Sequence, residues 1–473
     1  MPRVPNTAHD AMPLPALQAG AGVPQDLGRV DLGIGFALAA AAVFVRFGNL
    51  HEILTVMVGA KLYLLYLFVL PALLAVVLTG GLRRVFEGRP AIYWTGFALW
   101  IALAIPFSTW RGGSVETFIG YLKTGVAMMV VIAGMTTNWR QCKGMMWAFA
   151  LAGGVSLAAG RLFETTKAGG RLGLDFGSIA NANDFAAHLL SLLPFLLWIV
   201  LSSRSFVLRT LALPGIGFGL YLILRTASRG AVLALAVGCL FFLWRATLRQ
   251  RIAFLALAPV ALAAVAAFVP RDALLRMRML SAAADVAGKS ADDGVALEAA
   301  GSASVRRYLF QKGVEYALEH PLFGVGPGLF ATYEGTHEQV FGTHGYWRVA
   351  HNSFTEVASE CGIPGLLFFV AGILSTLRLL NSTYREARGR PECQDIQTAA
   401  LCVMLGVVNF CVAAAFLSDG YSAYFPAMGG LAIAIARAAK QEFQSRAIPS
   451  GAAQLPVGAG GRFAWGPLGS APT

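Results

Sequence analysis

Five arginines and one histidine carry the chemistry that this sequence could perform. Arg171 lies in GGRLG, Arg225 and Arg229 in LRTASRGAVLAL, Arg306 and Arg307 in SVRRYLFQKGVEYALE, and His351 opens HNSFTE. A guanidinium presents a planar fork of donors that meets phosphate oxygens two at a time, so grouped arginines suit a pyrophosphate. A histidine at a helix N-terminus has its cationic form disfavoured, stays neutral and can accept a proton. His351 directly precedes such a helix start. The plainer alternative is a loop histidine that merely hydrogen-bonds a carbonyl. His320, His337 and His344 share its loop, and His188, inside an apolar run, reads as a satisfied packing residue.

The elements that must position these groups are membrane helices. Of 473 residues, 56% are apolar and only 13% charged, with a mean hydropathy of +0.63. An ordinary soluble domain carries roughly 25% charge. A water-soluble enzyme of this size would lack the polar surface to cover itself, and disorder, collagen and a disulfide scaffold fail on the same composition. The net charge of +12 therefore reads as topology, not as a nucleic-acid surface. Cys142, Cys239, Cys361, Cys393, Cys402 and Cys411 show neither CxxC nor metal-ligand spacing and are expected as free thiols. Residues 1–28 carry no basic segment directly before the first apolar run, so no cleavable signal peptide is expected.

A membrane helix needs about 20 predominantly apolar residues. That rule yields twelve candidate spans: 31–47, 62–80, 91–107, 115–136, 144–160, 185–201, 207–223, 230–244, 252–269, 362–380, 397–417 and 424–440. With a cytoplasmic N-terminus, the inner loops hold 14 Lys or Arg and the short outer loops 7, the bias expected for that orientation. The expectation is an all-α polytopic membrane protein with both termini cytoplasmic. Its parts are an N-terminal segment (1–30), spans one to nine (31–269), a large partly helical outer loop (270–361), spans ten to twelve (362–440) and a tail (441–473). Most of 281–303 reads as a flexible excursion, and 304–319 as a short helix stopped by His320-Pro321. A loop this long is usually functional or disordered.

In this topology even-numbered spans begin at the outer face, where their N–H groups and dipoles form anion sites. Asn181 and Asn183 are candidate caps for span six and Ser228 for span eight, while Ser353 and Glu356 have capping-box spacing before span ten. Snorkelling accounts for Arg161 and Lys61. Arg229 has no such reason to sit outside, and it shares a helical face with Arg225 if span eight begins early.

These residues also carry a resemblance. HNSFTEVASECGIPG, from His351 to Gly365, fits H-[NSQ]-x9-G-x-x-G and resembles the bacterial O-antigen ligase family, with His351, Asn352, Gly362 and Gly365 in place. TASRG resembles its arginine-bearing outer turn. RYLFQKGVEYALEHPLFGVGPGLF, extended back to Arg306, resembles its periplasmic helix and P-x-x-G-x-G, and GRLGLDFGSIANANDFA its upstream segment. Together they cover roughly 171–365, and the layout of twelve spans with a large loop after the ninth agrees with the family. The resemblance implies a metal-independent glycosyltransferase without a cofactor, working at the periplasmic face of the inner membrane. Its donor would be a glycan on undecaprenyl pyrophosphate and its acceptor a sugar hydroxyl of lipid A–core. His351 matches the family's proposed general base, Arg229 and Arg306 the arginines that hold the pyrophosphate, and Arg171 a looser position. Arg225 and Arg307 are added by proximity. Direct attack on the anomeric carbon would invert it, and activity should survive excess chelator.

A polymerase of the Wzy type and a protein O-glycosylating ligase share the same donor and stay open. A secondary transporter would place ionisable groups near the bilayer midplane. Here Glu116, Lys123 and Glu356 are the nearest mid-span charges, and no inverted repeat is evident. Membrane lipids are the expected surroundings, nucleic acid is not an expected partner, and a monomer is the default.

Overall fold

The computed structural model describes residues 27–167, 170–268, 293–340 and 345–447. The terminal segments 1–26 and 448–473, the stretch 269–292 (with most of the expected excursion) and His344 lie outside the described residues. Each of the twelve apolar runs falls on a helix. They are α1 (Leu27–Phe47), α3 (Leu64–Leu78), α5 (Arg89–Ala104), α6 (Arg111–Tyr121) continuing through a π turn into α7 (Ala127–Met135), α8 (Trp139–Leu162), α9 (Ala182–Ser202), α10 (Phe206–Arg225), α11 (Arg229–Arg245), α12 (Leu248–Phe268), α15 (Ser353–Ala387), α16 (Gln394–Ala414) and α17 (Tyr424–Ala447). Short helices α2 (Leu50–Val58) and α4 (Gly81–Val85) intervene, and α13 (Asp293–Glu319) and α14 (Phe330–Val340) fill the long loop.

Seven helices among the described residues are long and apolar enough to cross a membrane, or eight if the pair α1 and α2, bent by 65°, counts as one span. The other runs are short or diluted by charge. α3 has 15 residues and α11 has 17, α12 opens with Arg249 and Arg251, and α17 ends in KQEFQSRA. α3 shows how the bundle meets lipid. Leu67, Leu70, Leu74 and Leu78 are exposed along one side, while Leu65, Val69, Ala72 and Val76 are buried along the other. Such a face is stable only in an apolar solvent. α9 and α16 form the interior, each with 78% of its apolar window buried.

The structure departs from the sequence reading in three places. α13 begins at Asp293, so 293–303, expected as part of a flexible excursion, is helical. The outer segment between α8 and α9 contains a hairpin, β1 (Glu164–Lys167) antiparallel to β2 (Arg171–Leu174), with Lys167 opposite Arg171. The helix that carries the span expected at 362–380 starts at Ser353, directly after the expected cap segment, but it is broken at Gly362 (φ 71°, ψ −179°). The apolar window detects only its second half, because the first contains Glu356 and Glu360, both buried.

The break explains the glycines of the motif. At Gly362 the helical ladder stops, and the freed carbonyls find other donors. Ser359 and Glu360 accept from the Val325 and Gly326 N–H groups (2.8 and 3.1 Å), and Cys361 accepts from Trp100 Nε1 (2.8 Å). The Ile363 N–H donates to Pro321 O (2.8 Å). A Cβ at Gly362 would strike the Leu322 carbonyl, and one at Gly365 would meet the Cys361 side chain. The segment PLFGVG is thus sewn into the broken turn of α15.

Candidate functional site

The site forms where α9, α11 and α15 start and the hairpin packs. Asn181 caps α9 by accepting from the Asn183 N–H (3.0 Å), and Ser228 caps α11 by accepting from the Ala231 N–H (3.4 Å). α15 is capped by Asn352, whose Oδ1 accepts from the Phe354 and Thr355 N–H groups (2.9 and 3.1 Å). The expected Ser353–Glu356 capping box does not form. Ser353 Oγ donates to Leu417 O (2.9 Å) and accepts from the Asp419 N–H (2.9 Å), while Glu356 accepts from the Gly420 N–H (2.9 Å). The two side chains bind the α16–α17 loop instead of their own helix.

His351 stands at the head of this arrangement. Its backbone is left-handed (φ 53°), and its N–H donates to Ser418 Oγ (2.8 Å). Burial lowers its pKa to about 4, with the charges of Arg306 and Arg348 acting in the same direction. The ring is therefore neutral at physiological pH and free to accept a proton. The sequence reading had assigned that neutrality to the helix terminus; here it comes first from desolvation and then from two guanidinium groups.

The arginines divide. Arg306, on α13, is partly buried and acts electrostatically on both His351 and Asp184. Arg229 opens α11 between Ser228 and Gly230, which line a small cavity with Asn183, Phe416 and Leu417. Arg171, on β2, reaches toward the same place. Its Nε donates to Thr226 O (2.9 Å) and an Nη to Asn183 Oδ1 (2.6 Å), joining the hairpin to the head of α9 and the α10–α11 turn. Two of its donors are thus spent on the protein, and Asn183 serves as its acceptor, not as a cap.

Arg225 and Arg307 stand apart. Arg225 ends α10 and is ion-paired to Glu164 on β1 (3.3 Å). It does not share a helical face with Arg229, because Ala227 turns the chain in a left-handed conformation (φ 47°) between two separate helices. Arg307 is exposed, one position round α13 from Arg306. Of the other histidines, His188 packs between Ser156 Oγ (2.8 Å) and the Tyr424 hydroxyl (2.6 Å), as expected of a satisfied core residue. His320 meets the Tyr333 hydroxyl (3.0 Å).

Several residues here escaped sequence reasoning. Asp184 lies within electrostatic range of Arg171, Arg306 and Asp419. Burial raises the pKa of Asp419 to about 6, against the opposing charge of Arg46. Arg46 sits in the last turn of α1, where an apolar window absorbs it. Glu360 gathers three donors: the Gly328 N–H (2.7 Å), the Phe330 N–H (2.8 Å) and the Tyr421 hydroxyl (2.7 Å). Its only sequence signal was the i, i+4 spacing with Glu356. His351 thus feels two fixed cations, Arg306 and Arg348, and Arg306 also reaches Asp184 at the start of α9, an arrangement able to hold an anionic leaving group beside a base.

Comparison with known proteins bears on what that anion is. Residues 214–370 match the family model described as O-antigen ligase, a range that takes in Arg225, Arg229, Arg306, Arg307 and His351. No curated protein matches the chain.

Proposed function

We propose, from the match of residues 214–370 to the O-antigen ligase family model, that the chain moves a glycan from undecaprenyl pyrophosphate to a sugar hydroxyl of lipid A–core. The family acts on lipid-linked glycans and acceptors in the membrane, and transfer would take place at the periplasmic face of the inner membrane. The observation that carries the reading is the meeting of a neutral histidine with Arg306 at the bundle end where α9 and α11 begin.

His351 takes the proton of the acceptor hydroxyl, and the oxygen attacks the anomeric carbon from the side opposite the leaving group. The bond from that carbon to the phosphate oxygen breaks, the pyrophosphate leaves with the bonding electrons, and the configuration inverts. Arg229 and Arg306 meet the developing charge, aided by the N–H groups that begin α11. Arg171 holds the hairpin, α9 and the α10–α11 turn together beneath them. A positioned general base contributes typically about 10²–10⁴-fold. The aligned cations and amides supply the rest without reorganising during reaction.

A deletion strain tests this directly. Surface lipopolysaccharide is run on a gel, and lipid-linked saccharides are extracted in parallel. A ligase leaves long chains on undecaprenyl pyrophosphate and none on the surface. Core bearing one repeat unit would instead assign a polymerase, with the same donor and a second lipid-linked saccharide as acceptor. An unchanged gel would remove lipid A–core as the acceptor.

A further inference from the structure

Four residues before His351, the chain exposes two aromatic side chains that the reaction above does not use. Tyr346 is 47% exposed and Trp347 49%. Large aromatics at a free surface are ordinary when singly scattered, but here the backbone beneath them is specially built. Glu334 on α14 is fully buried, and its carboxylate accepts from the Tyr346 N–H (2.9 Å), the Trp347 N–H (2.9 Å) and the Tyr308 hydroxyl (3.3 Å). Trp347 is left-handed (φ 53°), a conformation that a bulky residue adopts rarely and at a cost. Its indole lies over Gly335, which is buried. A Cβ there would strike the bond shared by the two indole rings. One face of the ring is therefore seated on bare backbone, and about half of the residue's surface stays exposed.

We infer that Trp347, with Tyr346 beside it, is a stacking platform for a pyranose ring of the acceptor saccharide. Sugar rings present apolar C–H faces between their hydroxyls, and a rigid indole buries such a face at little cost in side-chain freedom. Four residues of chain span at most about 14 Å, so a saccharide stacked on Trp347 lies within reach of the base that takes its proton. The acceptor fits better than the donor because the segment that carries Trp347 runs directly into His351, the group assigned to the attacking hydroxyl. Arg348, between the platform and His351 and itself exposed, suits phosphate or carboxylate groups on the same saccharide. A lipid headgroup is the competing occupant. The direct continuity of the segment with His351, four residues on, favours the saccharide.

The inference rests on the transferase reading and is tested apart from it, using the purified full chain in lipid discs. Transfer is followed from lipid-linked glycan to rough lipopolysaccharide taken from the deletion strain, and binding of delipidated core oligosaccharide is measured by calorimetry. Trp347→Ala should raise the KM for rough lipopolysaccharide about tenfold, the loss of one good stacking contact. The donor KM and kcat should stay near wild type, since only uniform binding is removed. Trp347→Phe should recover most of the loss. Trp347→Gly, which relieves the left-handed strain, should melt no lower than wild type yet bind oligosaccharide as poorly as the alanine variant. An unchanged acceptor KM overturns the platform while leaving the transferase standing. A parallel rise in donor and acceptor KM marks a membrane contact and also overturns it. Oligosaccharide binding that depends on Trp347 in a protein without transfer to rough lipopolysaccharide would keep the platform and reject the ligase.

Discussion

At the scale of single residues, His351 is set apart by its surroundings, not by its type. Its imidazole is held neutral by burial and by Arg306 and Arg348, with the pKa near 4. The active, deprotonated form therefore persists well below the ordinary histidine value. The acid limb of kcat/KM, which reports the free enzyme, should fall to half near pH 4 instead of 6.5. Removing the Arg306 charge favours the imidazolium, so Arg306→Ala should move that limb upward, though not to 6.5, because desolvation remains. Among the arginines, Arg229→Ala and Arg306→Ala should each lower kcat by about 10²–10³-fold, the loss typical of one transition-state donor. Arg225→Ala should stay within a few-fold of wild type, since its guanidinium is taken up by Glu164. Steady-state transfer assays at saturating donor separate the three.

At the scale of elements, α15 does two jobs because it is broken. Its first half, Ser353–Cys361, carries Asn352 and His351 at its head and buried glutamates in its body; its second half is the membrane span. The join depends on Gly362. A side chain there would be strained by the positive φ and would strike the Leu322 carbonyl. Gly362→Ala should cost at least about 1–3 kcal/mol and appear as a lower Tm in detergent. Glu360 holds the other side of the join by taking the Gly328 and Phe330 N–H groups. Glu360→Ala would leave the Phe330 N–H buried and unpaired, a penalty of about 1–3 kcal/mol. It should lower both Tm and transfer, with Glu360→Gln, which keeps one acceptor oxygen, intermediate in thermal melts and assays.

At the scale of the molecule, the proposed reaction requires the starts of α9, α11 and α15 to face the periplasm. If all twelve runs cross the membrane, that orientation would put both termini in the cytoplasm. A membrane-impermeant maleimide applied to spheroplasts should label Ser304→Cys, on α13, and spare Ser203→Cys, in the turn before α10, in a background free of native cysteine. The reverse pattern would put His351 on the side away from the glycan. The lipid-facing leucines of α3 and the buried faces of α9 and α16 show why the bundle tolerates so few charges: those inside are either hydrogen-bonded or gathered at one end.

Composition and apolar run length determined that this chain is a polytopic helical membrane protein. Every one of the twelve runs became a helix, because backbone in lipid has few other ways to satisfy its own hydrogen bonds. Local motifs also led to His351, Arg229, Arg306 and Arg171, since each lies beside turn or cap residues that a single stretch of sequence contains. Tertiary structure alone decided which neighbours these groups have. Arg171 turned out to clamp Asn183 and Thr226, Arg225 to pair with Glu164, and Ser353 and Glu356 to bind the 417–420 loop, through partners 12 to 66 residues away. The first half of α15 was legible only at its start, and the partners of its glutamates were hidden for the same reason. Its glutamates look like loop residues in an apolar window, and their carboxylates accept from distant N–H and hydroxyl groups.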